Sequence, residues 1–540
     1  MGQLTSTPAV PEPPLWLAPV DNVDQFIGRF RFVLEIHCLS CEERQRSRLL
    51  FEKFSGSSNP PQTWDEADMV ELLSVALPDE LKGTLLAAGP LLFRIMIRLG
   101  SFPYHSQPVS SLTLDMVLVA VIILLRYHER NGTAVAGTSP GDFSSEEKGM
   151  KWLRRILFQC MAIRDGSSEG CDLGGTDRII RKSESDDEDL LGAYRYVVST
   201  NRWRDWERTP KVLHRGPPII PEVELPSSRS RDLSGSIPRA EFDFLVKLLL
   251  AGQLYLSGDS TEPLTNTKEL DACVASVLSA FPEAREVPYI TWDSYDGILS
   301  SQLPNIYIGF AGLLAPLILH GRISTEQLSS SSRTETSLLL RRAFSKVTPQ
   351  NSSIPVGSIF KPRIFAQLAT FLPLELCTQR PSVIYTAGGG SFRLDALKNQ
   401  MRPRRQPLVI LVSGTALDIA SSDGVVHICF GAFLSEDDED ADSQEYLEQI
   451  PADVFQLRPT HSVSHSPTAD ITFQSGGNVV CITFADTGRA DARFILDDGA
   501  QTASYYPRGE SGREEPSPIH IKVENMDLVA LGFISDAETT

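Results

Sequence analysis

The chain has 540 residues and a formal net charge of -19. Such acidity repels a nucleic-acid backbone unless a basic patch outweighs it, and Arg402, Arg404 and Arg405, with the pair Arg341-Arg342, are too few to form one; direct nucleic-acid binding is not expected. Eight cysteines are scattered without a disulfide framework, and no charged segment leading into an apolar one opens the chain, so a reducing, cytoplasmic setting is expected.

In chain order, residues 1–20 read as a flexible leader, Pro-rich from Pro8 to Pro14. Met1-Gly2-Gln3-Leu4-Thr5-Ser6 fits the myristoylation pattern, in which Gly2 becomes the acylated amine after loss of Met1 and Ser6 fills the hydroxyl position. An unmodified leader is the alternative reading. One myristoyl chain binds membranes only marginally and reversibly, so exchange between cytosol and a membrane surface is expected, with a protein partner as the second anchor.

Residues 21–130 are helical in period, with Phe26, Phe30, Val33 and Leu34, then Val70, Leu73, Val75 and Leu77, at helical spacing around a break at Pro60-Pro61. Thr63-Trp64-Asp65-Glu66 predicts a helix start with a capping box. Leu112-Thr-Leu-Asp115 looks like the short strand and helix entry of an EF-hand pair. A calcium loop needs oxygen ligands at alternate places, a central Gly and a terminal Glu. This region supplies none, and the nearest stretch elsewhere, Asp293-Ser-Tyr-Asp296-Gly297, has the wrong spacing. A degenerate, metal-free helical domain is the expectation, with no metal site and no cofactor. Cys38-Leu-Ser-Cys41 has the spacing of half a zinc site or a redox pair, but no second pair exists and core packing is the preferred reading. The apolar runs Met116–Leu125 and Ile306–Leu319 fall short of the roughly 20 residues that span a bilayer.

Residues 131–238 read as linker and insertions with short helices, including a helical Trp152–Ile163. Ser183 and Ser185 precede the acidic run 186–189, which suits either an acid-directed kinase or a plain solvated loop. Residues 239–330 form a second helical block: Phe242, Leu245, Val246, Leu249 and Leu250 share one face, followed by Leu270–Phe281 and Trp292–Leu319. The polar tract 328–336 is taken as its boundary, and residues 331–354 as a linker with one helix, Leu338–Phe344.

Residues 355–535 are β-rich. Strands are predicted at Pro381–Thr386, Leu408–Val412, His427–Phe433, Asp470–Phe473, Val479–Phe484, Ala492–Leu496 and Leu528–Phe533, with an amphipathic Leu394–Leu397 between the first two. Leu408-Val-Ile-Leu-Val412 is aliphatic throughout and suits a strand buried on both faces. Gly431 stands where a side chain would not fit. The expected class is therefore α+β: a helical EF-hand-like N-terminal region, a helical middle block and a C-terminal β-sandwich-like domain.

This order of elements resembles the TLDc domain, found in eukaryotic oxidation-resistance proteins and in a fungal group called restriction of telomere capping proteins. The pieces that carry the resemblance are Tyr385-Thr386, Gly390-Ser-Phe392, Phe430-Gly431-Ala432-Phe433, the loop Ser475-Gly476-Gly477-Asn478, and the closing Leu531-Gly532-Phe533. The family's closing Trp is absent, and an acidic insertion follows Phe433. The resemblance implies a structural role for Tyr385, Gly390, Phe392, Phe430, Gly431, Phe433, Gly476, Gly477, Gly532 and Phe533. It also implies association with subunits of the vacuolar proton ATPase at the vacuolar membrane, and a role in oxidative-stress resistance, with an indirect influence on telomere capping.

No nucleophile elbow, phosphate loop or metal-ligand histidine pair is present. Gly388-Gly-Gly390 lacks the Lys of a P-loop, and His461 and His465 lie beside Pro459 and Pro467, outside a helix. No catalytic residue is assigned. The expectation is a non-catalytic adaptor; the alternatives are a redox or hydrolytic enzyme using Cys429, Cys481 or Asp470, and a calcium sensor.

Overall fold

The computed structural model describes residues 39–55, 63–101, 110–131, 143–163, 235–256, 267–281, 288–318, 323–345, 355, 357–373, 376, 381–389, 391–401, 406–417, 426–435, 448–473, 479–484, 492–507 and 517–531. Helix α1 (Cys41–Phe54) starts from a capping box made by Ser40 and Glu43. Helix α2 (Glu66–Ala76) starts from Asp65 and Asp68, two residues later than the hydroxyl at Thr63 suggests. The reason is tertiary: Trp64 is held extended in an antiparallel bridge to Leu112, with two backbone hydrogen bonds of 2.8 Å. Its indole stacks on Phe51 at 4.8 Å and donates to the Phe51 carbonyl. Helices α3 (Lys82–Gly100) and α4 (Leu114–Asn131) complete two helix–loop–helix units joined through that bridge.

The same arrangement recurs in the second block. Strands β1 (Ile237–Pro238) and β2 (Tyr289–Ile290) pair antiparallel with Ile237 opposite Ile290, and each leads straight into a helix, α6 (Arg239–Leu256) and α8 (Trp292–Ser301). Helices α5 (Phe143–Met161) and α7 (Thr267–Ser279) precede them. Strands of two residues leave no period-2 signal, so this pairing is invisible in sequence.

Helix α9 (Gly309–Ile318) crosses α6 at a point made of glycine. A Cβ at Gly312 or Gly252 would fall inside the carbonyl oxygen of the opposing helix, at Gly252 and Gly309 respectively. The polar tract expected as a boundary is folded instead. Helices α10 (Thr325–Ser330) and α11 (Arg333–Ser345) strap α1 and α2: Arg333 pairs with Glu71 and lies over the Phe54 ring at 5.4 Å, while Lys53 donates to the carbonyls of Ser329 and Ser331. Serines here act as helix caps, Ser324 just before the tract bonding Gln327 and Ser332 within it bonding Glu335. The segment Asp79–Gly100 has the length and apolarity to cross a membrane, although 56% of that window is buried inside the fold, where α3 contributes Leu85, Ala88, Leu91, Leu92, Ile95 and Leu99 to the helical core.

Helix α12 (Pro362–Leu368) leads to the sheet: β3 (Pro381–Gly388), β4 (Leu408–Ala416), β5 (His427–Leu434), β6 (Glu448–Arg458), β7 (Ser462–Phe473), β8 (Val479–Phe484), β9 (Arg493–Asp497), β10 (Thr502–Tyr506) and β11 (Ile519–Leu531), with α13 (Leu394–Met401) between β3 and β4. Neighbours from β4 to β10 pair antiparallel in sequence order, and β11 closes the ladder by pairing with β4, β3 and β10. The two halves face each other. Phe430 on β5 packs against Phe494 on β9 at 5.8 Å and Tyr505 on β10 at 5.7 Å, strands that are far apart in the ladder. Strand β4 is buried on both sides, with Leu408, Ile410 and Val412 in this inner core and Val409 and Leu411 in the core shared with the helices.

Gly312→Ala is expected to cost about 2–3 kcal/mol through forced separation of α6 and α9, against the slight gain in helix propensity that alanine brings. An unchanged urea midpoint would show that the crossing tolerates a side chain.

Candidate functional site

The hairpin joining β6 to β7 is where the sheet meets the helices with polar groups beside apolar ones. Residues 461, 463 and 465 share one face of the strand, as period-2 geometry requires, and that face looks onto α7, α8 and α12. Around His461, Gln367 of α12 donates to the Leu457 carbonyl at 2.9 Å and meets His461 Nδ1 at 3.2 Å. Ser276 of α7 also donates to Leu457, and the His461 amide donates to the Ser276 carbonyl at 3.2 Å. Gln302, which caps α8, bonds Val463 in both directions, accepting from its amide at 2.5 Å and donating to its carbonyl at 3.1 Å. His465 joins Asp453 of β6 at 2.8 Å to the Ser301 carbonyl of α8 at 3.0 Å.

A second group lies deeper. Arg458 donates to Cys273 Sγ at 3.4 Å, and Asp527 of β11, fully buried, accepts from Ser358 Oγ at 2.7 Å and the Phe360 amide at 2.8 Å. These bonds fix the segment before α12 onto the sheet.

Electrostatically the seam is quiet. Burial pushes the Cys429 thiol up to about 12, and it raises Cys273 against the partial offset of Arg458. Burial also drives His461 down to about 4, the bond to the Gln302 carbonyl offsetting only part of this. At His465 burial works in the same downward sense, but the hydrogen bond and charge of Asp453 outweigh it and raise the group. A thiol so strongly held in its protonated form is a poor nucleophile. Among the described residues, no three His, Cys, Asp or Glu side chains converge to hold a metal ion.

Of the residues that carry the family resemblance, Phe392 and Phe430 fill the inner core and Phe433 the outer one. Tyr385 on β3 accepts from the Arg393 amide at 3.2 Å. A Cβ at Gly431 would overlap the Ile410 carbonyl and meet the Phe455 ring. These positions build the sheet and do not converge on a cleft. Gly2, Gly390, Gly476, Gly477, Gly532 and Phe533 lie outside the described residues, as do Cys38 and the side chain of Asp470. Cys41 is exposed in the first turn of α1, which corrects its expected place in a core: Ser40 is the cap, and the helix turns its first residue outward. Ser276, Gln302 and Gln367 were not singled out from the sequence. Gln367, an amide inside the apolar run Ile364-Phe-Ala-Gln-Leu368, carried the legible signal, since a buried amide must find partners.

No model of a known protein family matches the chain. Curated relatives are all distant. The chain is 23% identical over 490 residues to "Restriction of telomere capping protein 5" of Pyricularia oryzae, covering 85% of this chain and 73% of that one. It is 22% identical over 363 residues to the protein of that name in Colletotrichum graminicola, and 27% over 346 residues to that of Sordaria macrospora, each alignment covering 62% of this chain and 53% of the relative. The chain thus matches about half to three quarters of the length of these fungal proteins.

Native protein treated with a thiol reagent is expected to label Cys41 at least about 100-fold faster than Cys160, Cys273 and Cys429, whose protonated, buried thiols react only after unfolding. Rapid labelling of Cys429 in the folded chain, read by peptide mass mapping, would contradict the seam as described.

Proposed function

We propose that this chain is a non-catalytic adaptor of the restriction of telomere capping kind, acting at the vacuolar membrane on the proton ATPase. The observation that carries this is the sheet itself. Among the described residues, those that carry the resemblance are spent on packing, and the polar groups of the seam bond helix to sheet with no nucleophile poised for chemistry. A myristoylated Gly2 supplies reversible membrane contact, and the protein partner supplies the second anchor. Stress resistance and any influence on telomere capping follow indirectly from that partnership.

Affinity purification of the full chain from membranes is expected to recover proton ATPase subunits, and Gly2→Ala to reduce the membrane-bound fraction several-fold. An unchanged distribution would remove the lipid step, and recovery of chromatin alone would count against the adaptor.

A second reading, a calcium-responsive adaptor, is favoured by the β1–β2 pair. Gly235 has φ +130°, Ile237 lies in the paired strand and Glu241 stands in the first turn of α6, the spacing of the sixth, eighth and twelfth places of a calcium loop. In sequence, Asp232 and Ser234 occupy the third and fifth places, outside the described residues, with Ser230 rather than Asp at the first. Glu241 is engaged by Arg94 at 2.5 Å, so calcium would have to displace that guanidinium. On this reading, calorimetric titration gives one site that Glu241→Gln loses; a wild-type chain that releases no heat leaves only the first reading.

A further inference from the structure

We propose that the β6–β7 hairpin is an acid-weakened latch: protonation of His461 at Nδ1 turns the Gln367 amide away from Leu457 and loosens the hairpin's hold on the helical body. The inference concerns regulation of the fold and does not depend on which partner the adaptor takes.

The bonding around the imidazole fixes its proton. Nε2 faces the Gln302 carbonyl at 3.1 Å, an oxygen that can only accept, so Nε2 carries the hydrogen and Nδ1 is the acceptor. The group opposite Nδ1 must then donate, and Gln367 Nε2 does so at 3.2 Å. The same nitrogen donates to the Leu457 carbonyl, and the Ser276 hydroxyl oxygen lies within its reach as a further acceptor at 3.3 Å. Gln367 is fully buried and its Oε1 has no hydrogen-bond partner, so the amide is oriented by its nitrogen alone.

A proton on Nδ1 places two donors face to face. The ring cannot reverse, because both its nitrogens would then carry hydrogen. Relief comes from the amide: turned over, Oε1 accepts from the imidazolium, but it then sets an oxygen against the Leu457 carbonyl and abandons that bond. The two bonds are therefore exclusive, since Gln367 serves either the Leu457 carbonyl or the protonated ring and cannot serve both.

No charge compensates. His461 is enclosed by α7, α8, α12 and its own hairpin, and it meets them through Ser276, Gln302, Gln367 and the ring of Phe371 at 5.8 Å. Of the charged groups on those elements, Arg458 bonds Cys273, Arg363 pairs with Glu269 at 2.5 Å, Asp271 with Lys247 at 2.6 Å and Asp296 with Arg154 at 2.7 Å, and the imidazole's hydrogen bonds are to the uncharged Gln302 and Gln367. On the same strand, His465 meets Asp453 and the α8 carbonyl end, whose last turn carries no ionisable side chain. It favours its charged form, so acid strengthens that contact and confines the release to the His461 end.

The sign follows from the two states. The folded-state value of His461 lies below the ordinary one, so the opened hairpin takes the proton first; closure is fully favoured above about pH 6.5 and lost as pH falls toward 4. At tenfold per unit, the opened population rises roughly 20-fold between pH 7 and pH 5.

Hydrogen exchange of the 457–464 amides in the full chain, corrected for intrinsic rates, tests this. The wild type is expected to show the roughly 20-fold rise, His461→Asn to be flat because its amide oxygen accepts from Gln367 without titrating, and Gln367→Glu to reverse the trend by stabilising the imidazolium. A flat wild-type profile, or an unchanged rise in His461→Asn, overturns the latch. If His461→Asn does not fold, the wild-type imidazole titration followed by NMR decides instead: exchange that rises without tracking His461 protonation rejects it.

Discussion

The rest of the fold depends on β4 having no polar face. Leu408-Val-Ile-Leu-Val412 sends three side chains into the closed sheet and two outward, and Phe433, Phe455, Leu457, Val529 and Leu531 extend that outward apolar surface across neighbouring strands. Burying each such side chain contributes about 1.5–3 kcal/mol, so a sheet left bare on this side would expose an apolar face larger than soluble monomers usually carry. The helices are its cover. One continuous core consequently runs from Leu50 of α1 to Leu531 at the end of β11, and the helical and β-rich parts of the chain share it.

Apolar contact gives adhesion without direction. What sets the sheet's position on the helices is the short list of hydrogen bonds at the seam, because a buried donor or acceptor that loses its partner costs more than the bond contributes. Gln302 mimics a neighbouring strand by bonding Val463 both ways. Asp527 holds the chain entering α12, and Gln367 and Ser276 converge on the single Leu457 carbonyl. Sliding the sheet by one residue would turn His461 and Val463 away from these partners, which makes register and orientation one requirement.

Sequence carried the apolar part of this architecture well and the polar part poorly. The double burial of β4, the close approach at Gly431 and the core helix at Met116–Leu125 all follow from runs whose period is self-evident. Strand β6 and the first half of β7 were missed because Pro451, Asp453, Gln456, Ser464 and His465 interrupt alternation; they are strands through their neighbours, not through local preference. The helix start at Thr63 was misplaced for a related reason, since the bridge to Leu112 competes for Trp64 from 48 residues away in sequence. The Ser-rich tract at 328–336 looked like a linker because caps and linkers share a vocabulary, and only the packing of Arg333 on Phe54 and Glu71 tells them apart. The seam itself was legible only as isolated polar letters in apolar runs; their convergence belongs to tertiary structure.

A sheet filled on one face and covered on the other leaves few places for a partner to bind: strand ends, loops and edges, or a surface uncovered by local opening. The hairpin is the place where opening is tied to acidity, because one of the hydrogen bonds that hold it depends on an untitrated imidazole. Opening there would uncover Leu457 and Val463, both part of the outer core. A partner that takes the opened hairpin and a proton that produces it select the same state, so each must raise the other's affinity by the same factor. The coupling is bounded by the shift at His461, of order a few hundred-fold at most. A chain built this way responds to acidity through the strength of its contacts.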